Sequence, residues 1–281
     1  MNNSVIIPNQ SHLDQTIAAM AAGGAGKLHI LTDFDNTLTR AFVDDQKTHS
    51  IIANIRLGNY LGDEFSHWSK KRVEKYWPLE TDLRLSRAER ARYMREWWDE
   101  THAQMVKHGL SRQLLDKICE ERPVAFRAGM EEFENRLKSS AVPVVIMSAA
   151  PGYMIKYYLE QAHLFANNVD IIANWYEFDA NGIMTGAKEP VIHSLNKYEI
   201  TLNGYPIFEQ IKNRRNVILM GDGVDDIGMI EGFDYDNIIK IGFLNENADE
   251  RLDDFKKNFD VVILNDDGME AVNDILKIIL S

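Results

Sequence analysis

Five short, almost wholly apolar runs mark this chain: KLHIL at 27–31, VPVVIM at 142–147, NVILM at 216–220, IIKIGFL at 238–244 and DVVIL at 260–264. A strand with one solvated face alternates apolar and polar residues, so a run apolar throughout is buried on both faces. Helical patterns lie between several of the runs. Met130, Phe133 and Leu137 repeat at i, i+3, i+7, and Ile155, Tyr158, Leu159 and Ala162 at i, i+3, i+4, i+7. Buried strands alternating with helices predict an α/β fold, a doubly wound, Rossmann-like parallel sheet. In such folds ligands sit beyond the carboxyl ends of the strands. DFD, MSAAPG and MGDGVDD each stand directly at such an end, so three distant segments are expected to converge on one crevice.

From about Asp44 to Arg122 the alternation stops and the pattern is helical. Ser86 with Glu89 reads as a capping box, Met94, Trp98, Thr101 and Met105 follow one face, and Gly109 ends that helix. Leu114, Leu115 and Ile118 predict another helix that stops before Pro123. The expected organisation is a core of residues 1–43 and 123–281 with an all-helical cap, 44–122, over the crevice. NWYEFDANGIMTG places strand residues either side of Asn181-Gly182, a hairpin signal.

Composition narrows the function classes. A formal net charge of −12 argues against a nucleic-acid surface, since phosphate backbones demand basic patches. The amino-terminal stretch lacks a signal-peptide pattern, and no run approaches a membrane span, so no membrane partner is expected. One cysteine, Cys119, excludes a disulfide framework and suits a reducing compartment; the cytoplasm is the expected location, and a monomer or weak oligomer the expected state. AAGGAGKL at 21–28 departs from the phosphate-loop pattern and precedes a strand, which predicts a flexible connecting loop. GDGVDDIG fails the dinucleotide fingerprint because Asp226 stands at the third glycine position. The eight histidines show no metal-binding spacing.

The chemistry-bearing residues are acidic. Asp33 and Asp35 at i and i+2 would crowd each other, and like charges about 4 Å apart repel by roughly 4 kcal/mol at an effective dielectric near 20. Together with Asp222, Asp225 and Asp226 they would place five carboxylates in one crevice, which a hard cation explains and solvation does not; Mg²⁺ is the expected ion. Ser148 lacks a nucleophile-elbow context and a neighbouring base. It reads either as a phosphate-gripping hydroxyl at a strand-to-helix turn or as the N-cap of GYMIKYYLEQ. Trp97 and Trp98 read as cap core, one of them able to face a ring-shaped ligand.

DFDNTLT, the strand-end Ser148, a downstream lysine and GDGVDD resemble, in order, the four signature motifs of the haloacid dehalogenase-like phosphohydrolases. THSIIAN, YWPLETD, YMREWWDETH, MSAAPG, FDANGIMTG, Asn196-Lys197 and KIGFLNENADE extend the resemblance across nearly the whole chain to the pyrimidine 5′-nucleotidase family, also called cytosolic 5′-nucleotidase III. The resemblance implies a nucleoside 5′-monophosphate substrate, CMP or UMP, hydrolysed through a phosphorylated Asp33 with Asp35 as acid and base. It implies Mg²⁺ held by Asp33, the Asp35 backbone carbonyl and Asp222; phosphate held by Ser148, Ala149 and Lys197; and Asp226, with Asp225 beside it, as supporting acids. In the cap it implies Glu80 on the nucleobase, while Thr101 stands where the family has a serine, and His49 matches a cap histidine. An ionised Glu80 is acceptor-only and would favour an amino-bearing base such as cytosine. The alternatives are a phosphatase on another small metabolite, such as phosphoserine, and a non-enzymatic phospho-ligand module.

Overall fold

A computed structural model describes residues 4–82, 84–197 and 205–281. The first three residues of the amino-terminal stretch lie outside it. All five apolar runs form strands: β2 (Leu28–Thr32), β5 (Val144–Pro151), β9 (Asn216–Gly221), β10 (Asn237–Leu244) and β11 (Val261–Leu264). They join β1 (Val5–Ile6) and β6 (Val169–Asn174) in a seven-stranded sheet of order β1-β11-β10-β9-β2-β5-β6. All pairings in it are parallel except that of β1 with β11.

Side chains alternate across the sheet, and each strand feeds two cores. Ile30, Ile146, Ile218 and Met220 pack on one face with Leu13, Ile17 and Met20 of α1 (Gln10–Gly23) and with α6 (Met130–Ser139) and α10 (Glu270–Ile279). Leu31, Val145, Val217 and Leu219 pack on the other with Ile207 and Ile211 of α8 (Ile207–Ile211). Phe255 of α9 (Ala248–Asn258) covers the edge near β10 and β11. The periodic residues Ile155, Tyr158 and Leu159 are buried in α7 (Gly152–Gln161); Ala162 caps its carboxyl end and is exposed.

Residues 21–28 are not a flexible loop. Ala21 to Gly23 close α1, Gly24 caps it with φ +66° and donates its N–H to the carbonyls of Met20 and Ala21, and a 3₁₀ turn at Ala25–Lys27 leads into β2. The glycines serve a helix stop, for which positive φ is cheap in glycine.

The insertion is not all-helical either. It opens with a two-stranded ribbon, β3 (Phe42–Val43) and β4 (Gln46–Lys47), turned by Asp44 and Asp45 at φ +49° and +60°. Strands of two residues offer no periodicity to read. Then come α2 (Ile51–Leu57), α3 (Gly62–Glu80), α4 (Arg87–Lys107) and α5 (Arg112–Glu121). The Ser86–Glu89 capping box forms in both directions, and Gly109 follows α4 with φ +70°. The two stems of the insertion run side by side, with the Arg40 N–H donating to the Ala125 carbonyl at 2.8 Å. The expected hairpin forms from β7 (Tyr176–Phe178) and β8 (Met184–Ala187). Only Gly182 of its turn has positive φ, and Gly182 N–H bonds back to Asp179, a three-residue turn with a bulge in place of a two-residue Asn-Gly turn.

Candidate active site

Register sets the site. Thr32 pairs with Met220 on one side and with Ile146 on the other, so Asp33, just past β2, Asp222, just past β9, and Ser148, within β5, come to one edge. Asp33 is buried, its N–H bonded to the Met220 carbonyl at 3.0 Å. Its Oδ1 accepts from Lys197 Nζ at 2.5 Å and its Oδ2 from the Thr37 hydroxyl at 3.4 Å. Lys197 Nζ also donates to Asp226 Oδ1 at 2.8 Å, while Asp226 Oδ2 accepts the Gly223 N–H at 3.0 Å. Carboxylate oxygens of Asp33, Asp222 and Asp226 lie within 4.8 Å of one another.

Three carboxylates thus face one ammonium. Burial raises the Lys197 site's cost, but the charges of Asp226 and Asp33 outweigh it and hold the ammonium's pKa well up. Burial pushes Asp33 up to about 6 against the pull of Lys197. Asp222 is driven well up too, by burial and then by Asp226 and Asp33; its side-chain donor is Asn36 Nδ2 at 3.5 Å. A buried anionic cluster of this kind ionises fully only when another cation joins it. Asp33 and Asp226 both accept from Lys197, Asp222 takes no bond from it, and the three together offer carboxylate oxygens that fit a divalent ion.

The expected group of five carboxylates does not form. The Asp35 side chain turns away from the cluster and its Oδ1 accepts the Ile51 N–H at 3.1 Å, at the first residue of α2, where Ser50 supplies no side-chain cap. Burial, then the Asp33 charge, lift its carboxyl to about 7. Asp225 is exposed on the 3₁₀ turn Val224–Ile230, close enough to Glu80 to raise that carboxyl's pKa.

Ser148 is buried and its hydroxyl accepts the Ala150 N–H at 3.2 Å; it does not cap α7, whose preceding residue is Pro151. Asn174, unforeseen in the sequence, donates to the carbonyls of Ala149 at 2.6 Å and Ile192 at 2.8 Å and accepts the Ile192 N–H at 2.8 Å. It ties the end of β5 to the turn that presents Lys197. Asn196 braces that turn from within, accepting the His193 N–H and donating to the Val191 carbonyl, both at 2.8 Å.

Between the insertion and the end of β5 lies a cleft with about 610 Å³ of empty space, part of it open to solvent. Glu80, Trp77, Trp97, Trp98, Thr101 and Ala149 line it. Trp97 and Trp98 therefore wall the cleft as well as packing the cap, with Trp97 stacked on Tyr76 at 5.7 Å. The Thr101 hydroxyl is spent on the Trp97 carbonyl at 2.7 Å, which leaves its methyl to the cleft. His49 lies elsewhere, in a second cavity with Asp35 and the insertion stems.

Arg127 is the other residue that the sequence did not reveal. Wholly buried, it donates from Nε to the Thr37 carbonyl at 2.7 Å and from its terminal nitrogens to the carbonyls of Asn36 at 2.5 Å and Asp267 at 2.6 Å. Its ion-pair partner Asp266, at 3.2 Å, accepts the N–H groups of Ala41 and Phe42 at 2.8 and 3.0 Å. One arginine and one aspartate thus fix the loop after Asp33 and the stem of the insertion together. Asp266 follows β11 as Asp33 follows β2, the one local signal of its role.

A doubly wound sheet with a strand-end aspartate pair, a lysine on the first aspartate and a second acidic strand end defines a haloacid dehalogenase-like phosphohydrolase. Solved phosphoserine phosphatases share this fold, one with a TM-score of 0.53 at 19% identity over 88% of this chain and 97% of its own. The model of the family described as pyrimidine 5′-nucleotidase (UMPH-1) matches residues 36–280, and the chain belongs to that family. It is 33% identical over 268 residues to the 7-methylguanosine phosphate-specific 5′-nucleotidase B of Xenopus laevis, covering 95% of this chain and 92% of the relative. Against the human 7-methylguanosine phosphate-specific 5′-nucleotidase it is 27% identical, covering 100% and 94%. The crystal structure of cytosolic 5′-nucleotidase IIIB bound to cytidine matches with a TM-score of 0.91 at 25% identity, covering 99% of this chain and 94% of that one. The protein is a 5′-nucleotidase, an enzyme acting on nucleoside monophosphates.

Proposed function

We propose that the protein is a Mg²⁺-dependent phosphohydrolase of nucleoside 5′-monophosphates whose bases offer hydrogen-bond donors, cytosine and 7-methylguanine in particular. The observation that carries this reading is a carboxylate, Glu80, set in a tryptophan-walled cleft that opens on Ala149 at the end of β5. A carboxylate accepts from the cytosine amino group or from the N1 and N2 donors of 7-methylguanine. A methylated, cationic base gains further from the tryptophan faces. Cytidine in a solved relative and 7-methylguanosine phosphate in the names of curated relatives support both bases.

In the first step Asp33 attacks phosphorus; an Asp33–phosphate bond forms, the bond to the nucleoside O5′ breaks, and Asp35 gives its proton to that oxygen. In the second, Asp35 takes a proton from water, the water oxygen attacks phosphorus, and Asp33 leaves as a carboxylate. A pKa near 7 suits Asp35 to both transfers. Lys197 and the backbone at Ser148–Ala149 hold the phosphoryl oxygens. Asp33, the Asp35 carbonyl and Asp222 would hold Mg²⁺, which when bound neutralises phosphoryl charge. Residues 44–122 act as the cap that shields this chemistry from bulk water, and 1–43 with 123–281 as the core. The single cysteine, buried in α5, and the cytosolic relative support a cytoplasmic enzyme.

The test is phosphate release from CMP, UMP, 7-methylguanosine 5′-monophosphate, AMP and phosphoserine, with Mg²⁺ or EDTA, by wild type and Asp33→Asn. Release from CMP and the methylated nucleotide that requires Mg²⁺ and Asp33 is expected. Phosphoserine turned over as fast as CMP would overturn the reading.

A further inference from the structure

We propose that Ser194 is a positioning residue for base choice: its hydroxyl holds the Glu80 carboxylate in an acceptor-only orientation towards the nucleobase. The inference rests on the reading of Glu80 given above and extends it to a core residue that contacts no reacting atom.

The Ser194 hydroxyl donates to Glu80 Oε1, and among the described residues it is the one side chain recorded as a donor to that carboxylate. Both residues line the tryptophan-walled cleft. Arg90, from α4, holds the other end of the residue, donating to the Glu80 carbonyl at 3.0 Å. Glu80 is therefore tied at its backbone by the cap and at one oxygen by the core, which leaves Oε2 to accept from a base.

Two physical consequences follow. A free glutamate carries up to about 2 kcal/mol of rotamer entropy, lost when it is ordered on a ligand; a carboxylate already held loses less on binding. A hydrogen bond to an ionised carboxylate also favours that form. Burial raises the Glu80 pKa, with Asp225 adding to the rise, while Ser194, Arg90 and Lys197 oppose it. An ionised, fixed Glu80 accepts from the cytosine amino group and repels uracil O4. A protonated one can donate to O4, and a loose one is not held against it, so either loses that distinction.

The turn that carries Ser194 stands without its hydroxyl. Asn174 and Asn196 brace its backbone. The next residue, Leu195, is buried with Tyr76 of α3 and Met94 of α4. Ser194→Ala therefore removes one hydrogen bond and leaves the fold in place, and Ser194→Thr keeps the hydroxyl.

The experiment compares kcat and KM for CMP, UMP and ribose 5-phosphate, a 5′-phosphomonoester with no base, in wild type, Ser194→Ala, Ser194→Thr, Glu80→Gln and the Ser194→Ala/Glu80→Gln double variant. Ser194→Ala is expected to lower the CMP-to-UMP ratio of kcat/KM roughly tenfold, the scale of one hydrogen bond to a charged group. The effect should appear in KM for CMP, Ser194→Thr should restore the ratio, and the double variant should lose no more than Glu80→Gln alone. An unchanged ratio in Ser194→Ala alongside a lowered one in Glu80→Gln overturns the role of Ser194 and spares that of Glu80. An equal fall on ribose 5-phosphate and CMP overturns it too, because Ser194 would then act through the Lys197 turn. No base discrimination in the wild type overturns the reading of Glu80 itself.

Discussion

At the scale of the residue, the site is a problem of uncompensated charge. Asp33, Asp222 and Asp226 crowd around Lys197, and Asp35 escapes the crowd by accepting the first N–H of α2. Because the folded Asp35 carboxyl sits near 7, above its ordinary value, the folded state binds that proton more tightly than the unfolded chain. Its favourable contribution is complete below about pH 4 and lost as pH rises through 7. In EDTA, Asp35→Asn should therefore be more stable than wild type at pH 8, by about 4 kcal/mol, and by only about 1 kcal/mol at pH 4.5; urea titrations at the two pH values measure this. The same variant should lose at least ~10²-fold in phosphate release, the usual worth of a general acid. Lys197→Met leaves the three acids without their ammonium and should destabilise the EDTA-treated protein by about 3–5 kcal/mol in the same titration. Strand-end aspartates were legible as chemistry because acids follow two separate apolar runs at the edge where an α/β sheet binds its ligands. Arg127 was not legible, since its partners are carbonyls and an aspartate brought together from three segments by folding.

At the scale of the element, most of the sheet could be read in advance and most of its joints could not. The five apolar runs became strands because burial on two faces requires apolarity at every position. β6 escaped notice because Asp170 interrupts its run, and β1 and the β3–β4 ribbon are too short for any period. The junction of β5 and α7 is set by a contact that no local pattern encodes: a Cβ on Gly152 would lie 2.7 Å from the Trp175 ring. Gly152→Ala should push α7 from β6, cost about 1–3 kcal/mol, and raise KM by displacing the end of β5 proposed to hold phosphate; thermal melts and steady-state kinetics read the two effects.

For the whole molecule, the sheet and the helical insertion both line one cleft, and ligands that bind there should stabilise both. Mg²⁺ at about 100 times its dissociation constant should add roughly 2.7 kcal/mol to the free energy of unfolding. The stabilisation should vanish in Asp222→Asn, which removes the carboxylate of the three that takes no bond from Lys197; melts with and without MgCl₂ for both proteins check it. A shift that persists in Asp222→Asn would place the ion elsewhere.

By itself the sequence determined the class of fold and the class of chemistry, because apolar periodicity and acids at strand ends are properties of single segments, each stating its own burial or charge. The tertiary structure alone decided which acids crowd around Lys197, that Asp35 turns to α2 and Asp225 to solvent, that Arg127 clamps the loop after Asp33, and that Ser194 meets Glu80. These are relations between residues up to 193 positions apart, as Asp33 and Asp226 are, and they exist only once sheet register and helix packing bring the segments to one edge.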